Sequence, residues 1–130
     1  MIFGNGIDIC QVSRFRKWII DGNLIERYFN EKEFSKKTDG DLTDRQLSAM
    51  SQHYAARFAA KEAFSKALGT GLVGFELKDV YVQKEESGKP YLVLENSARK
   101  IFDEKCPGGK IHLSLSHESE YAIASVIIEI

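Results

Sequence analysis

Residues 43–69 read TDRQLSAMSQHYAARFAAKEAFSKALG, and this stretch decides the fold. Thr43 and Gln46 stand at capping-box spacing, and Asp44 adds negative charge to the first turn of a helix. From there to Leu68 the chain holds no Gly or Pro, and Gly69 supplies a C-terminal stop. Leu47, Met50, Tyr54, Phe58 and Leu68 fall on one stripe at helical period. Lys61 lies near the middle of that stripe, an odd place for a solvated lysine, and Glu62 lies at its edge.

On either side of this helix the period is two. Residues 2–12 (IFGNGIDICQV) predict a strand with Ile7 and Ile9 on one face and Gly4, Gly6, Asp8 and Cys10 on the other. Ser13 is the expected N-cap of a short helix to about Ile20, broken by Asp21-Gly22-Asn23. Residues 24–29 and 31–37 predict further short helical pieces, and residues 38–42 a turn-rich loop. After the long helix, Val80 and Val82 alternate with polar neighbours. Ser87-Gly88 forms a hairpin-type turn, and Pro90 opens the next strand. Residues 97–105 predict an amphipathic helix, ended by Pro107-Gly108-Gly109. Two more strands follow over 110–116 and 121–130, as an antiparallel pair. The sum is an α+β fold, one long helix packed on a mostly antiparallel sheet, as a single domain over 1–130.

Composition narrows the function. The chain has 130 residues, of which 43% are apolar and 28% charged, the balance of a soluble globular protein. Eighteen Lys and Arg against 19 Asp and Glu give a net charge of -1, which argues against a general nucleic-acid binder. Cys10 and Cys106 are too few and too far apart for a disulfide framework or zinc site. There is no run long enough to span a bilayer and no basic, apolar leader. The expectation is a cytoplasmic protein with no nucleic-acid and no membrane partner.

Four features carry chemistry. Gly4-x-Gly6-x-Asp8 presents a strand face with little bulk, ending in a carboxylate, which either a phosphate or a helix could approach closely. Arg57, Lys61, Glu62 and Lys66 ring a carboxylate with cations, which suits a site where a hard divalent cation and phosphates meet. The bland alternative for Glu62 and Lys66 is a surface ion pair. His112, Ser114 and Ser116 share one strand face, a donor array for phosphate or simply a polar surface. Arg14, Arg16 and Lys17, with Arg27 beyond, form a basic segment beside Phe15 and Trp18 that suits an acidic protein partner. His53, on the outer side of the long helix, is assigned no role.

GIDI with Arg14 six residues after Asp8, RFAAKEAFSKALGTG, SGKPY and HLSLSHESEYAIA occur in this order. This pattern closely resembles the holo-acyl-carrier-protein synthase family of small 4'-phosphopantetheinyl transferases, nearly from end to end. The resemblance implies a single transferase unit, a homotrimer with active sites between subunits, and a place in fatty acid biosynthesis and lipid metabolism. It implies transfer of 4'-phosphopantetheine from coenzyme A to a serine of an acidic apo-acyl carrier protein, releasing adenosine 3',5'-bisphosphate.

The same resemblance assigns roles. Asp8 and Glu62 are the expected ligands of Mg²⁺, with Mn²⁺ also suited to oxygen ligands. Glu62 is the candidate base for the carrier serine, directly or through a water on the metal. Lys66 would meet the pyrophosphate, and His112, with Ser114 beside it, would contact phosphate. Arg57 stands at the position that meets the 3'-phosphate of coenzyme A. Gly88, Lys89 and Pro90 stand in a loop that contacts the nucleotide, and Gly69 lies where the pantetheine arm would run. Arg14, Arg16, Lys17 and Arg27 would dock the carrier protein. Gln11 departs from the family, many of whose members carry an acidic residue there. Two rival readings, a module that only binds acidic proteins and a phosphoester hydrolase, differ from this one in where pantetheine ends up.

Overall fold

A computed structural model describes residues 1–35 and 40–130. Strand β1 (Ile2–Gln11) leads into helices α1 (Arg14–Asp21) and α2 (Asn23–Tyr28) and a 3-10 turn at Glu31–Glu33. The long helix α3 (Asp44–Leu68) follows, then a 3-10 turn at Leu77–Asp79 and the hairpin β2 (Val80–Lys84) and β3 (Pro90–Leu94). Helix α4 (Asn96–Lys105) and the pair β4 (Lys110–His117) and β5 (Tyr121–Glu129) complete the chain.

The α+β architecture is as expected, with every strand pairing antiparallel, but the strands form two sheets. One has the order β1-β5-β4 and the other is the β2-β3 hairpin. Helix α3 packs across the inner face of the larger sheet, with α1 and β2 on its other flanks. Its capping box is formed, Gln46 N donating to Thr43 Oγ1 and Thr43 N to Gln46 Oε1. Gly69 closes it at a φ of 86°.

The stripe understates the helix. Between Tyr54 and Leu68 it is buried on nearly every side, and its small residues Ala55, Ala59, Ala60 and Ala63 are wholly enclosed. The clearest case is Lys61. It is fully buried, and its ammonium lies 2.6 Å from the equally buried Glu33 carboxylate. Burial pushes the lysine below its ordinary pKa, and Glu33 pulls it back up.

Three local expectations need correction. Ser13 is itself helical and makes no side-chain cap, because the chain turns directly out of β1 with Phe15 N donating to Val12 O. The piece expected over 31–37 shrinks to the turn Glu31–Glu33, capped by Asn30. Lys36 and Lys37, like Thr38 and Asp39 of the expected loop, lie outside the described residues. The β2–β3 turn is wider than Ser87-Gly88. It runs from Glu85 to Lys89, with Glu85 N donating to Lys89 O and Gly88 left-handed at a φ of 90°.

Candidate active site

The site begins with two missing side chains. A Cβ on Gly4 would lie 2.0 Å from Ala67 O, and one on Gly6 2.1 Å from Ala63 O. The bare strand face is therefore filled by helix α3, not by a phosphate. The close contact brings Asp8, two residues on, against the same flank of the helix, where Glu62 and Lys66 stand one turn apart.

Lys66 Nζ donates to Asp8 Oδ1 at 3.2 Å and to Ile7 O at 2.9 Å. Cys10, which the sequence did not single out, donates its thiol to Asp8 Oδ2 at 3.3 Å. Burial and the neighbouring Asp8 push that thiol up to about 12, so it stays protonated and holds the carboxylate as a donor. Glu62 is half-buried. Burial pushes its carboxyl above the usual carboxylate range and the Asp8 charge pushes the same way, while Lys66 and Arg14 pull back.

Arg14 was expected only as a docking residue. Its guanidinium is stacked over Phe58, Trp18 and Phe15, with ring centroids 4.9, 5.1 and 5.4 Å away. Its charge reaches both Glu62 and Cys10. It thus stands beside the carboxylates at the head of the basic segment. Arg16 lies 3.6 Å from Asp44, Lys17 is exposed, and Arg27 lies over the Tyr28 ring at 5.2 Å.

Arg57 belongs to a second place. Five residues before Glu62 on a helix is a rotation of about 140°. Arg57 lines an open cleft of about 500 Å³ with Arg45, Gln52, His53, Lys84 and His117, and no carboxylate is among its lining residues. Its Nε is buried with no hydrogen-bond partner among the described residues, and Nη1 donates to His53 O at 3.2 Å. His53 earns a place that the sequence did not give it. Its Nε2 lies 2.6 Å from Glu33 O, which fixes the neutral ring as the donor there. Burial first and the Arg57 charge second push it down to about 4. The nonlocal meeting of β2, β4 and α3 gathers these side chains, and no local motif announces it.

His112 and Ser114 lie on neither cluster. They stand on the outer face of the larger sheet, where rows run Ile7–Ser125–Ser114 and Ile9–Ile123–Ser116. His112 Nε2 lies 3.0 Å from Glu129 Oε1. Ile7 and Ile9, on this face, are 64% and 59% exposed. Gly88, Lys89 and Pro90 form the tip of the β2–β3 hairpin, and Gly69 opens the exposed segment after α3. One chain thus separates a carboxylate cluster, a basic cleft and a polar-apolar sheet face.

The carboxylate cluster suits a hard divalent cation. Among the described residues there is no group of three or more His, Cys, Asp or Glu that could hold a metal alone. Mg²⁺ is commonly held by one or two carboxylates together with substrate phosphates, and Asp8 and Glu62 offer that donor set. No helix among the described residues is long and apolar enough to cross a membrane.

The sequence pattern of the 4'-phosphopantetheinyl transferase superfamily matches residues 4–126. The chain is 51% identical over 129 residues to the holo-[acyl-carrier-protein] synthase of Treponema denticola, covering 99% of each. The fold is similar to the Bacillus anthracis holo-(acyl-carrier-protein) synthase in complex with CoA (3',5'-ADP). The TM-score is 0.73 at 32% identity, over 98% of this chain and 96% of that one. It is similar also to the Helicobacter pylori enzyme in complex with coenzyme A, with a TM-score of 0.74 at 26% identity over 96% and 99%.

Proposed function

The chain belongs to the 4'-phosphopantetheinyl transferase superfamily, and from that premise we propose how its residues carry the reaction. It is a holo-acyl-carrier-protein synthase that moves 4'-phosphopantetheine from coenzyme A to a serine of apo-acyl carrier protein. The observation that supports the residue-level reading is the close seam of β1 and α3, which sets Asp8 against Glu62 and Lys66.

In this reading Asp8 and Glu62 hold Mg²⁺, or Mn²⁺, against the pyrophosphate. The cation, when bound, neutralises charge that develops on the pyrophosphate oxygens. Lys66 has an exposed ammonium already aimed at this point and adds a second positive charge. Glu62 takes the proton of the carrier serine as its Oγ bonds to phosphorus. The P–O bond of the pyrophosphate breaks, and adenosine 3',5'-bisphosphate leaves. Displacement of this kind depends mainly on positioning and charge neutralisation.

The basic cleft at Arg57 takes the 3'-phosphate, where Arg45 and Lys84 add positive charge. This cleft and the carboxylates lie on different flanks of one helix, so a single coenzyme A meets both where two subunits adjoin. The exposed Ile7, Ile9, Ile123 and Ile127 give the outer sheet face an apolar patch fit for that contact. A homotrimer closes such a contact by symmetry. It brings His112 and Ser114, and the Gly88-Lys89-Pro90 tip, to a neighbour's site. Arg14, Arg16, Lys17 and Arg27 receive the acidic carrier protein. Each chain is one transferase unit over 1–130. The working compartment is the cytoplasm, in keeping with two buried free thiols, and the pathway served is fatty acid biosynthesis.

The test is the intact mass of apo-acyl carrier protein incubated with this protein and coenzyme A, with and without Mg²⁺. A gain of one phosphopantetheine on the carrier, only when Mg²⁺ is present, is the expected result. Pantetheine phosphate released to solution would instead mark a hydrolase, and gain in the presence of EDTA would remove the metal from the reaction.

A further inference from the structure

One costly arrangement lies outside the catalytic cluster. Lys61 and Glu33 are both buried with no side-chain exposure. Removing two charges from water is expensive, and an apolar pair of similar volume is often as stable or more so. Stability alone is therefore a weak reason for the pair to be there.

Its connections point to another role. All three protons of the Lys61 ammonium are engaged: Glu33 Oε1 at 2.6 Å, Leu77 O at 3.1 Å, and Val80 O. Glu33 Oε1 also accepts from Asn30 N at 3.2 Å, and Oε2 accepts from Val82 N at 3.1 Å. The Glu33 carbonyl accepts from His53, two turns earlier on α3. One residue thus ties the long helix at two points to the edge of β2.

On the opposite flank the directional contacts to β1 come from one exposed side chain, Lys66, which donates to Ile7 O and Asp8 Oδ1. There Gly4 and Gly6 meet Ala63 and Ala67, a smooth seam that permits close approach but interlocks no side chains. Rolling the helix on that seam would carry Glu62 past Asp8. The Lys61 ammonium, one residue before Glu62, holds the helix against such rolling through three directed bonds.

We propose that Glu33, acting through Lys61, is a positioning residue for phosphopantetheine transfer, fixing the rotation of α3 that sets Glu62 against Asp8. This rests on the transferase reading above. A misplacement of about 1 Å in a reacting group can cost on the order of a hundredfold in rate. The loss should fall mainly on kcat, because Glu62 acts at the reacting atoms, whereas the Gly88-Lys89-Pro90 tip and His112 lie on other elements.

Two variants test it with the full-length protein, coenzyme A and apo-acyl carrier protein. Glu33→Asp keeps both charges but shortens the link by one methylene. The double variant Glu33→Gln with Lys61→Met removes both charges together, so no buried ion is left alone. Each is assayed well below its own unfolding midpoint, with kcat expressed per folded protein. The expected result is a kcat lowered at least tenfold with the KM for coenzyme A within threefold of wild type. A kcat within twofold of wild type in either folded variant overturns the proposal, as does a loss carried by KM. Failure of both variants to fold assigns the pair to stability and also overturns it. If wild-type protein itself leaves the carrier unmodified, the transferase reading fails first and takes this one with it.

Discussion

Asp8 and Glu62 face each other across the seam between β1 and α3, and the charge of Asp8 adds to burial in holding the Glu62 carboxyl above the ordinary carboxylate range. Burial and the Asp8 charge together outweigh the pull of Lys66 and Arg14 on Glu62, so its ionised form is destabilised where no metal is bound. A raised carboxyl pKa in the folded state means that the native protein binds more protons than the unfolded chain between the two pKa values. Stability therefore falls as pH rises through that window and stays lower above it. Glu62→Gln removes this loss. Metal-free Glu62→Gln should unfold at a higher temperature than wild type at pH 7, while transfer falls by about 10²- to 10⁴-fold. A variant no more stable than wild type in EDTA would count against the repulsion.

The same pair predicts how a cation acts on stability. A ligand that binds only the folded state raises the unfolding midpoint with its concentration. Wild-type protein stripped with EDTA and titrated with Mg²⁺ in the presence of coenzyme A should show a saturable rise in Tm beyond that of coenzyme A alone. Asp8→Asn should show none of this extra rise, since one of the two oxygen donors is gone. Equal shifts in both proteins would place the cation elsewhere.

Gly6 gives a steric prediction. A methyl group there would enter the van der Waals space of Ala63 O and come within 2.9 Å of Lys66 Cβ, and the first obstacle is helix backbone that cannot turn aside. Gly6→Ala should cost about 1–3 kcal/mol in chemical denaturation. It should also reduce transfer in the protein that remains folded, because relief comes only by moving α3 off β1 and Glu62 away from Asp8. Full activity with reduced stability would separate the seam from catalysis.

What was legible in the sequence follows from the range of the interactions. The alternation in IFGNGIDIC set Asp8 on the same face as the two glycines, and the capping residues at Thr43 and Gln46 fixed where α3 begins. Both are local patterns. The unusual position of Lys61 was also visible, but its partner was not, because Glu33 lies 28 residues away in a segment with only a short helical signal. The division into two sheets depends on which distant strands exchange hydrogen bonds, and alternation within each strand does not encode that. The basic side chains beside Arg57 escaped for the same reason. Arg45 and His53 are helical, Lys84 ends β2 and His117 ends β4, so only the folded chain brings them together.

His53 supplies a pH prediction. Its pKa falls to about 4 in the folded protein from an ordinary 6.5, so the unfolded chain takes up a proton between these values that the native ring does not. Stability from this group is complete above about pH 6.5 and is lost as pH falls towards 4. The full loss is on the order of 3 kcal/mol for a shift of this size. In His53→Gln the side-chain amide can still donate to Glu33 O and does not titrate. Unfolding free energy measured by denaturant from pH 7 to pH 4.5 should therefore fall less steeply in the variant than in wild type. Parallel curves would mean that the ring is protonated in the folded state.

The separation of Glu62 from Arg57 on α3 yields the sharpest test of a site shared between subunits. If one subunit supplies the carboxylates and the next supplies the basic cleft, then Glu62→Gln spoils one half of each site and Arg57→Ala the other. Each variant alone is then inactive or nearly so. When the two are unfolded together in equal amounts and refolded as mixed oligomers, some interfaces pair the intact carboxylates of an Arg57→Ala chain with the intact cleft of a Glu62→Gln chain. Random assembly makes that about a quarter of the interfaces, and activity should return to about that fraction of wild type. Mixing without unfolding should restore little, since whole subunits must exchange. If both halves instead serve one site on one chain, every chain in the mixture carries a defect and refolding restores nothing. Activity after co-refolding thus distinguishes a site built between neighbours from one contained within a single chain.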